Sequence, residues 1–503
     1  MIQIKQYISD IFTKKSVKQI LEQAGPDNQL KRSLTAYSLI MLGIGAIIGA
    51  GLFIRTAAAA ADNAGPSVTI SFVLAGIGCT FAGLCYAEFA SRIPIAGSAY
   101  TYAYVTMGEI IAWIIGWDLI LEYALGAATV AIGWSQYFNK LLGYIVINGQ
   151  PLYIPYEWCH SPFQSAINYE GIKQTGILNV PAFFSVILIS ILLVRGISGS
   201  ALFNSFIVIV KVLIVVLFIL FGWQFINPIN HTPYIPPPEV YVDSQGILHN
   251  FGGIPGIVGA AGTVFFAFIG FDAVSTAAQE TINPKKNMPI GILGSLAICT
   301  VLYILFSFVL TGLASTEDFR TVGQEASITY AIQTYMTGYT WLAQLVTAAI
   351  LIGLSSVLLV LLMAQSRIFF SMSRDGLLPH IFSVVHPKFK TPYKSNILFA
   401  IVVGIIAALV PGSIVGNMTS IGTLFAFVLV CTGLIILRYT TPLIETSFRT
   451  PFVPLTPVLG IITCGAMIYG LGFLNWIRLL IWMVIGLVIY FSYSKSHSEI
   501  KNK

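Results

Sequence analysis

Lys211 stands alone in FIVIVKVLIVV, Asp118 and Glu122 stand four residues apart in IIGWDLILEYAL, and Asp272 closes FFAFIGFD. Each is an ionisable side chain inside apolar sequence. A charge at mid-bilayer costs about 2.5–3.5 kcal/mol on insertion scales, so each group needs a partner or a use. Proton exchange is one such use. A second chemistry belongs to the backbone: GIGAIIGAGLF, residues 43–53, spends four positions on glycine, each costing about 1 kcal/mol in a helix interior. No nucleophile–base pair appears, the histidines fall into no metal spacing, and no phosphate-binding loop occurs. An enzyme is therefore the least favoured class, no cofactor is expected, and energy would come from an ion gradient.

The elements that position these groups are membrane helices. The 503 residues are 56% hydrophobic and 9% charged, with a mean hydropathy of +0.84; soluble domains carry about 25% charged residues. Apolar runs long enough to cross about 30 Å of hydrocarbon recur along the chain. The expected fold is an all-α polytopic membrane protein with about twelve helices, near 36–61, 68–90, 108–143, 178–195, 203–224, 255–278, 288–315, 337–372, 394–410, 416–438, 452–471 and 474–492. Twenty of the 26 Lys and Arg fall on one side of this reading and five on the other, with Lys211 inside a span. That bias places both termini in the cytoplasm. No cleavable signal is read in the first 35 residues. Residues 5–23 have helical apolar spacing, read equally as a membrane-surface helix or a solvated one. The cysteines (79, 85, 159, 299, 431 and 464) suggest no disulfide framework, and Cys159 alone lies in a loop.

Gly45 and Gly49 form a GxxxG pair, which by itself means close helix packing. The sixth span adds a second disturbance, Gly270 with Asp272. Paired interruptions in corresponding spans point to a transporter's binding site. Five helices separate them, an odd number, so spans 1–5 (36–224) and 6–10 (255–438) would be inverted repeats. The first 35 residues form a cytoplasmic segment, 225–254 an extended irregular outer loop, and 439–503 spans 11–12 with a cytoplasmic tail. A broken helix exposes amides at one half-helix and carbonyls at the other, tolerable only around a cavity or ligand. The two ends of an L-amino acid complement them. Gly49 and Gly51 would let it approach bare backbone.

GIGAIIGAGLF, CYAEFASRIPIAGSAYTYAY, FFAFIGFDAVSTAAQE, NPKKNMPIGI and SRDGLLP resemble the bacterial branch of the cationic amino acid transporter family, in the amino acid–polyamine–organocation superfamily with the leucine-transporter fold. The resemblance covers nearly the whole chain. It implies twelve helices, a five-plus-five inverted repeat with broken first and sixth spans, and alternating access to a site between spans 1, 3, 6 and 8. It places the first-span pocket on Ile47, Ala50 and Gly51, where relatives often carry a hydroxyl at the position of Ala50. The sixth-span pocket falls on Phe266, Ala267 and Ile269, with Phe266 as a lid, and Leu362 limits the substrate side chain. A fifth-span lysine occupies the place of a bound sodium in proton-coupled relatives, and Lys211 matches it, implying proton coupling.

Bland readings stand beside these. Lys211 also fits a structural ion pair or a side chain reaching for the interface. Glu122 fits contact with a cationic substrate side chain, proton relay, or a protonated carboxyl bonded to a neighbouring helix. Asp272 reads as the N-cap of a restarting half-helix. Tyr100, Tyr102 and Tyr104, after Pro94 and Gly97, read first as interfacial anchors and second as a gate; Lys285 and Lys286 read as orientation signals. The function expected is proton-coupled symport of L-amino acids, small neutral or broad-range, with exchange or nutrient sensing on the same fold as alternatives. No repeated pore-lining element argues for a channel. The location expected is the cell (inner) membrane, with lipid as partner, no nucleic acid, and a monomer or weak oligomer.

Overall fold

A backbone inside hydrocarbon must satisfy its own N–H and C=O groups, and helices do so within one segment. In the computed structural model, which describes residues 12–15, 34–93, 98–167, 173–195, 201–242, 248–321, 327–389, 391–440 and 448–499, the apolar runs are helical accordingly. The principal helices are α1 (Ala36–Ile47), α2 (Val68–Arg92), α3 (Ser98–Thr106), α4 (Glu109–Ile120), α5 (Gly126–Leu142), α6 (Val180–Arg195), α7 (Ala201–Gly222), α8 (Gly253–Val264), α9 (Pro284–Leu313), α10 (Thr340–Arg374), α11 (Tyr393–Leu409), α12 (Gly412–Thr440), α13 (Leu455–Gly470) and α14 (Phe473–Ile489). Among the described residues, eight helical stretches are long and apolar enough to cross a membrane, and α6, α11 and α13 are shorter apolar helices. This is a mostly helical, multi-span membrane protein.

Two of the spans read from sequence join into one 57-residue stretch, Ala36–Arg92. It turns at Gly65, whose φ of +56° with ψ of −138° favours glycine, followed by Pro66, which lacks a donor. α4 and α5 are likewise one stretch, joined by a π-turn over Leu121–Leu125. The loops depart from the all-α expectation. Short antiparallel hairpins pair 146–147 with 150–151, 165–167 with 173–175, and Glu239–Val242 with Leu248–Phe251. The last lies in the segment expected to be irregular; HTPYIPPPEV hides it because only the residues after its prolines can pair. Cys159 is buried despite its loop position. Most of the N-terminal 5–23 stretch lies outside the described residues, as do Pro94, Gly97, Lys390, Lys501 and Lys503.

α1 packs on α7 and α9, α2 on α9, α5 on α6 and α10, and α12 on α13. Indoles fasten α14 to α4: Trp113 Nε1 donates to Gly486 O at 2.9 Å, Trp117 Nε1 to Trp482 O at 2.8 Å, and Trp482 Nε1 to Trp117 O at 3.2 Å. Fully buried Glu88 on α2 holds Arg92 and Arg438, each at 2.7 Å, binding α2 to the end of α12.

Candidate functional site at two interrupted helices

α1 stops at Ile47. Ile48 is extended (φ −73°, ψ 102°), and helical turns resume from Ala50 through Gly51–Arg55 and on to Ala64. α8 tightens into a 3₁₀ turn at Phe265–Phe268, then Ile269 extends (φ −58°, ψ 134°) and Gly270 takes φ +113°. A 3₁₀ helix follows over Asp272–Glu280. Few residues other than glycine tolerate that φ, and the space a Gly270 Cβ would need is bounded by Ala46 at 3.0 Å. The two interruptions therefore touch.

A helix C-terminus leaves its last carbonyls without intrahelical donors, and in an apolar interior each would cost several kcal/mol. Side chains from two other helices meet this need. Lys211 of α7 donates from Nζ to Gly45 O at 3.0 Å and to Ile48 O at 3.1 Å. An ammonium is also the charge favoured at the negative end of a helix dipole. Lys211 is 2% exposed, and among the described residues no carboxylate forms an ion pair with it. Its stem lies against Gly353 of α10, where a Cβ would fall 2.8 Å from Lys211 Cε. Tyr303 of α9 places its hydroxyl 2.9 Å from both Ile47 O and Ala267 O, one proton shared between the two interrupted segments.

A small cavity lies between them, lined by Ala46, Ile47, Gly49, Ala50, Gly51 and Phe266 with Ile269, Gly126, Val130, Val357 and Leu361. Its volume is about 20 Å³, room for one water and too little for an amino acid. The cavity is closed down in this conformation. Apart from backbone, its walls are hydrocarbon.

Of the residues expected at the site, Ile47, Gly49, Ala50, Gly51, Phe266 and Ile269 line this cavity. Ala267 lies behind it, packed on Gly51 and bonded to Tyr303. Leu362 is buried but does not line the cavity; Val357 and Leu361 present that wall of α10. One residue of helix is about 100° of rotation, so a shift of one position changes the face. Glu122, one turn from Gly126, is fully buried and faces the carboxyl groups of Asp272 and Asp118 rather than the cavity. Asp272 is the first residue of its 3₁₀ helix, the cap position falling on Phe271. Its Oδ2 accepts from Tyr123 Oη at 2.9 Å, a bond that reaches the turn between α4 and α5.

Tyr303, Val357, Leu361, Gly126 and Val130 were not legible as site residues. Tyr303 in CTVLYILFS has no signal apart from being polar in an apolar run. Arg55 is another such case: buried beyond the interruption, its Nη2 donates to Asn417 Oδ1 of α12.

The sequence pattern of the amino acid permease family matches residues 34–494. The chain belongs to that family. Among its relatives, this permease is 42% identical over 491 residues to the branched-chain amino acid permease BcaP of Bacillus subtilis (strain 168), covering 97% of this chain and 99% of the other. It is 41% identical, over 98% and 99%, to a methylthioribose transporter of the same organism. The vacuolar cationic amino acid transporter 4 of Arabidopsis thaliana is 33% identical over 84% of this chain and 66% of its own. All three are named as transporters or permeases rather than enzymes. Membership in the permease family supports amino acid transport as the activity.

Proposed function

We propose that this permease is a proton-coupled symporter of neutral, apolar L-amino acids in the cell membrane, with both termini cytoplasmic. In this reading Ala36–Arg92 crosses twice, twelve crossings form a five-plus-five inverted repeat with two appended, and the interruptions near Ile48 and Ile269 are the breaks of spans 1 and 6. The backbone around Gly49–Gly51 takes the substrate carboxylate and the carbonyls beside Phe266 take the ammonium. The observation that carries the proposal is the Lys211 ammonium seated on Gly45 O and Ile48 O. A protonated lysine there ties α7 to the interrupted helix, and a neutral amine, with fewer protons and no charge, releases it. Glu122 and Asp272 supply the other titratable groups near the site.

The hydrocarbon walls favour a hydrocarbon side chain at about 0.8 kcal/mol per buried methylene. Among the described residues no carboxylate lines the cavity to meet an arginine or lysine side chain. The 41% identity to a methylthioribose transporter supports that uncharged sugar as a second reading. It has neither carboxylate nor ammonium for the helix ends.

The test is uptake into proteoliposomes with and without an imposed proton gradient, across leucine, isoleucine, valine, alanine, arginine and methylthioribose. Branched amino acids should accumulate with the gradient. In Lys211→Met, exchange at equal concentrations should persist while gradient-driven accumulation disappears. Accumulation that still follows the gradient in that variant would refute coupling through Lys211.

A further inference from the structure

A second hollow, far larger than the one at the interruptions, opens on the outside of the bundle. Thr69 and Val73 of α2 stand on one wall, Ile304 and Phe308 of α9 on the other, with Trp223 and Tyr234 at one end. Its volume is about 520 Å³. The far end is closed by contact between the two helices: a Cβ on Gly76 would fall 2.7 Å from Thr300 Cγ2. From there to Thr69 the helices part over two turns. At the open end Thr69 Oγ1 and Tyr234 Oη hydrogen-bond to each other. Phe308 meets the rings of His231 and Trp223 there, with centroids 4.6 and 5.6 Å away.

Both walls belong to stretches long and apolar enough to span the membrane, and Ile70, Val73, Leu305 and Trp223 are exposed along the groove. Hydrocarbon is therefore its solvent. Water held there would need two or more polar partners, and the Thr69 and Tyr234 hydroxyls already satisfy each other. Trp and Tyr gather at the level of lipid headgroups, so Trp223 and Tyr234 mark the interface and the groove runs inward from it, as lipid tails do. Spread over two turns, about 10 Å of helix, the volume has a cross-section of about 50 Å², near half that of a helix about 10–12 Å wide. Lipid chains fit this width, and a partner helix does not.

We propose that the groove between α2 and α9 binds the acyl chains of one phospholipid, from the leaflet on the side of the 239–251 hairpin, and that these chains brace the interrupted site from behind. Phe72 and Tyr303 are the sequence neighbours of Val73 and Ile304, and their rings pack inward at 5.5 Å. The Tyr303 hydroxyl is the group that bonds Ile47 O and Ala267 O. The groove is thus the back of the ring pair that carries this hydroxyl. A lipid chain gains nothing by exchanging one hydrocarbon for another, so its preference for the site rests on packing, with protein on both flanks and at its head. An unfilled groove forfeits those dispersion contacts and lets the Phe72–Tyr303 pair relax outward.

The test uses the full-length protein in phosphatidylglycerol vesicles containing a small fraction of the same lipid with a diazirine in its acyl chain. After illumination the labelled positions are mapped by mass spectrometry. Residues 69–73 and 304–308 should carry about ten times the label of Phe184 and Leu188, exposed on α6, the ratio given by a preference of about 1.4 kcal/mol. Val73→Trp and Leu305→Trp, each filling the groove from one wall at an exposed position, should abolish that excess. For delipidated protein in detergent, added phosphatidylglycerol should raise the melting temperature of the wild type and leave both variants unmoved. Even labelling of the groove and α6 would mean ordinary bilayer contact and overturn the site, as would an excess that survives both variants or a co-purifying apolar helix found in the lipid's place. Excess label without the melting shift would overturn the bracing of Tyr303. Neither readout involves transport, so failure of the symport reading leaves this one standing.

Discussion

Gly51 and Ala267 bring the two interrupted segments into backbone contact: a Cβ on residue 51 would fall 2.5 Å from the Ala267 amide nitrogen. The bare backbone at Gly51 thus lets two helices meet, while its other side borders the cavity. Gly51→Ala must push the Gly51–Arg55 and Phe265–Phe268 turns apart because no side-chain rotation relieves a clash with backbone. Overpacking of this kind costs about 1–3 kcal/mol. The expected outcome is a lowered melting temperature and loss of substrate binding with membrane insertion retained. Wild-type binding in Gly51→Ala would show that the contact is dispensable.

Tyr303→Phe isolates the hydroxyl. Its ring packs on Phe72 and Phe268, with centroids 5.5 and 5.3 Å away, and the phenyl ring keeps those contacts. What disappears is the donor shared by Ile47 O and Ala267 O. A buried acceptor left unpaired costs about 1–3 kcal/mol. Substrate affinity should fall about tenfold or more, measured by ligand-induced stabilisation, with near-normal expression. Unchanged affinity would mean that water replaces the hydroxyl without cost.

Gly353→Ala reaches Lys211 without altering it. The added methyl meets Lys211 Cε at 2.8 Å and Cγ at 3.3 Å, and a lysine stem can move where backbone cannot. Displacing it takes the ammonium from Gly45 O and Ile48 O. Gradient-driven uptake should drop about tenfold, the equivalent of 1.4 kcal/mol, while exchange and folding survive. Parallel loss of exchange and uptake would instead indicate a damaged substrate path.

Some of this site could be read from sequence because it breaks the rules of apolar helices. Glycines at 43, 45, 49 and 51 weaken a helix in the middle of an apolar run, and Gly270 with Asp272 repeats the disturbance in the sixth span. Lys211 is conspicuous because nothing polar surrounds it. Tyr303 gives no such signal: an aromatic residue in an apolar run looks the same whether or not its hydroxyl holds two carbonyls. The choice between Leu361 and Leu362 depends on helix rotation, which periodicity cannot fix in a helix apolar on nearly every side. Thr69 and Tyr234, 165 positions apart, are each unremarkable, and only the fold joins them. The hairpin at 239–251 was obscured for a related reason, since pairing is a property of two segments.

Side-chain selection is the remaining property the geometry predicts. Gly126 borders the cavity opposite Leu361, and a Cβ there would lie 3.5 Å from Leu361 Cδ1 and from Thr419 Cγ2, ordinary contact that leaves the helices in place. Gly126→Ala should therefore fold normally and remove one methyl's worth of space from the cavity. A methylene in an apolar pocket discriminates by about 1–3 kcal/mol, or roughly 10–200-fold. Leucine uptake should fall by about tenfold relative to alanine uptake, read as the ratio of kcat/KM values in competition. An unchanged ratio would place the substrate side chain away from Gly126, and a ratio moving toward leucine would reverse the assignment of this wall.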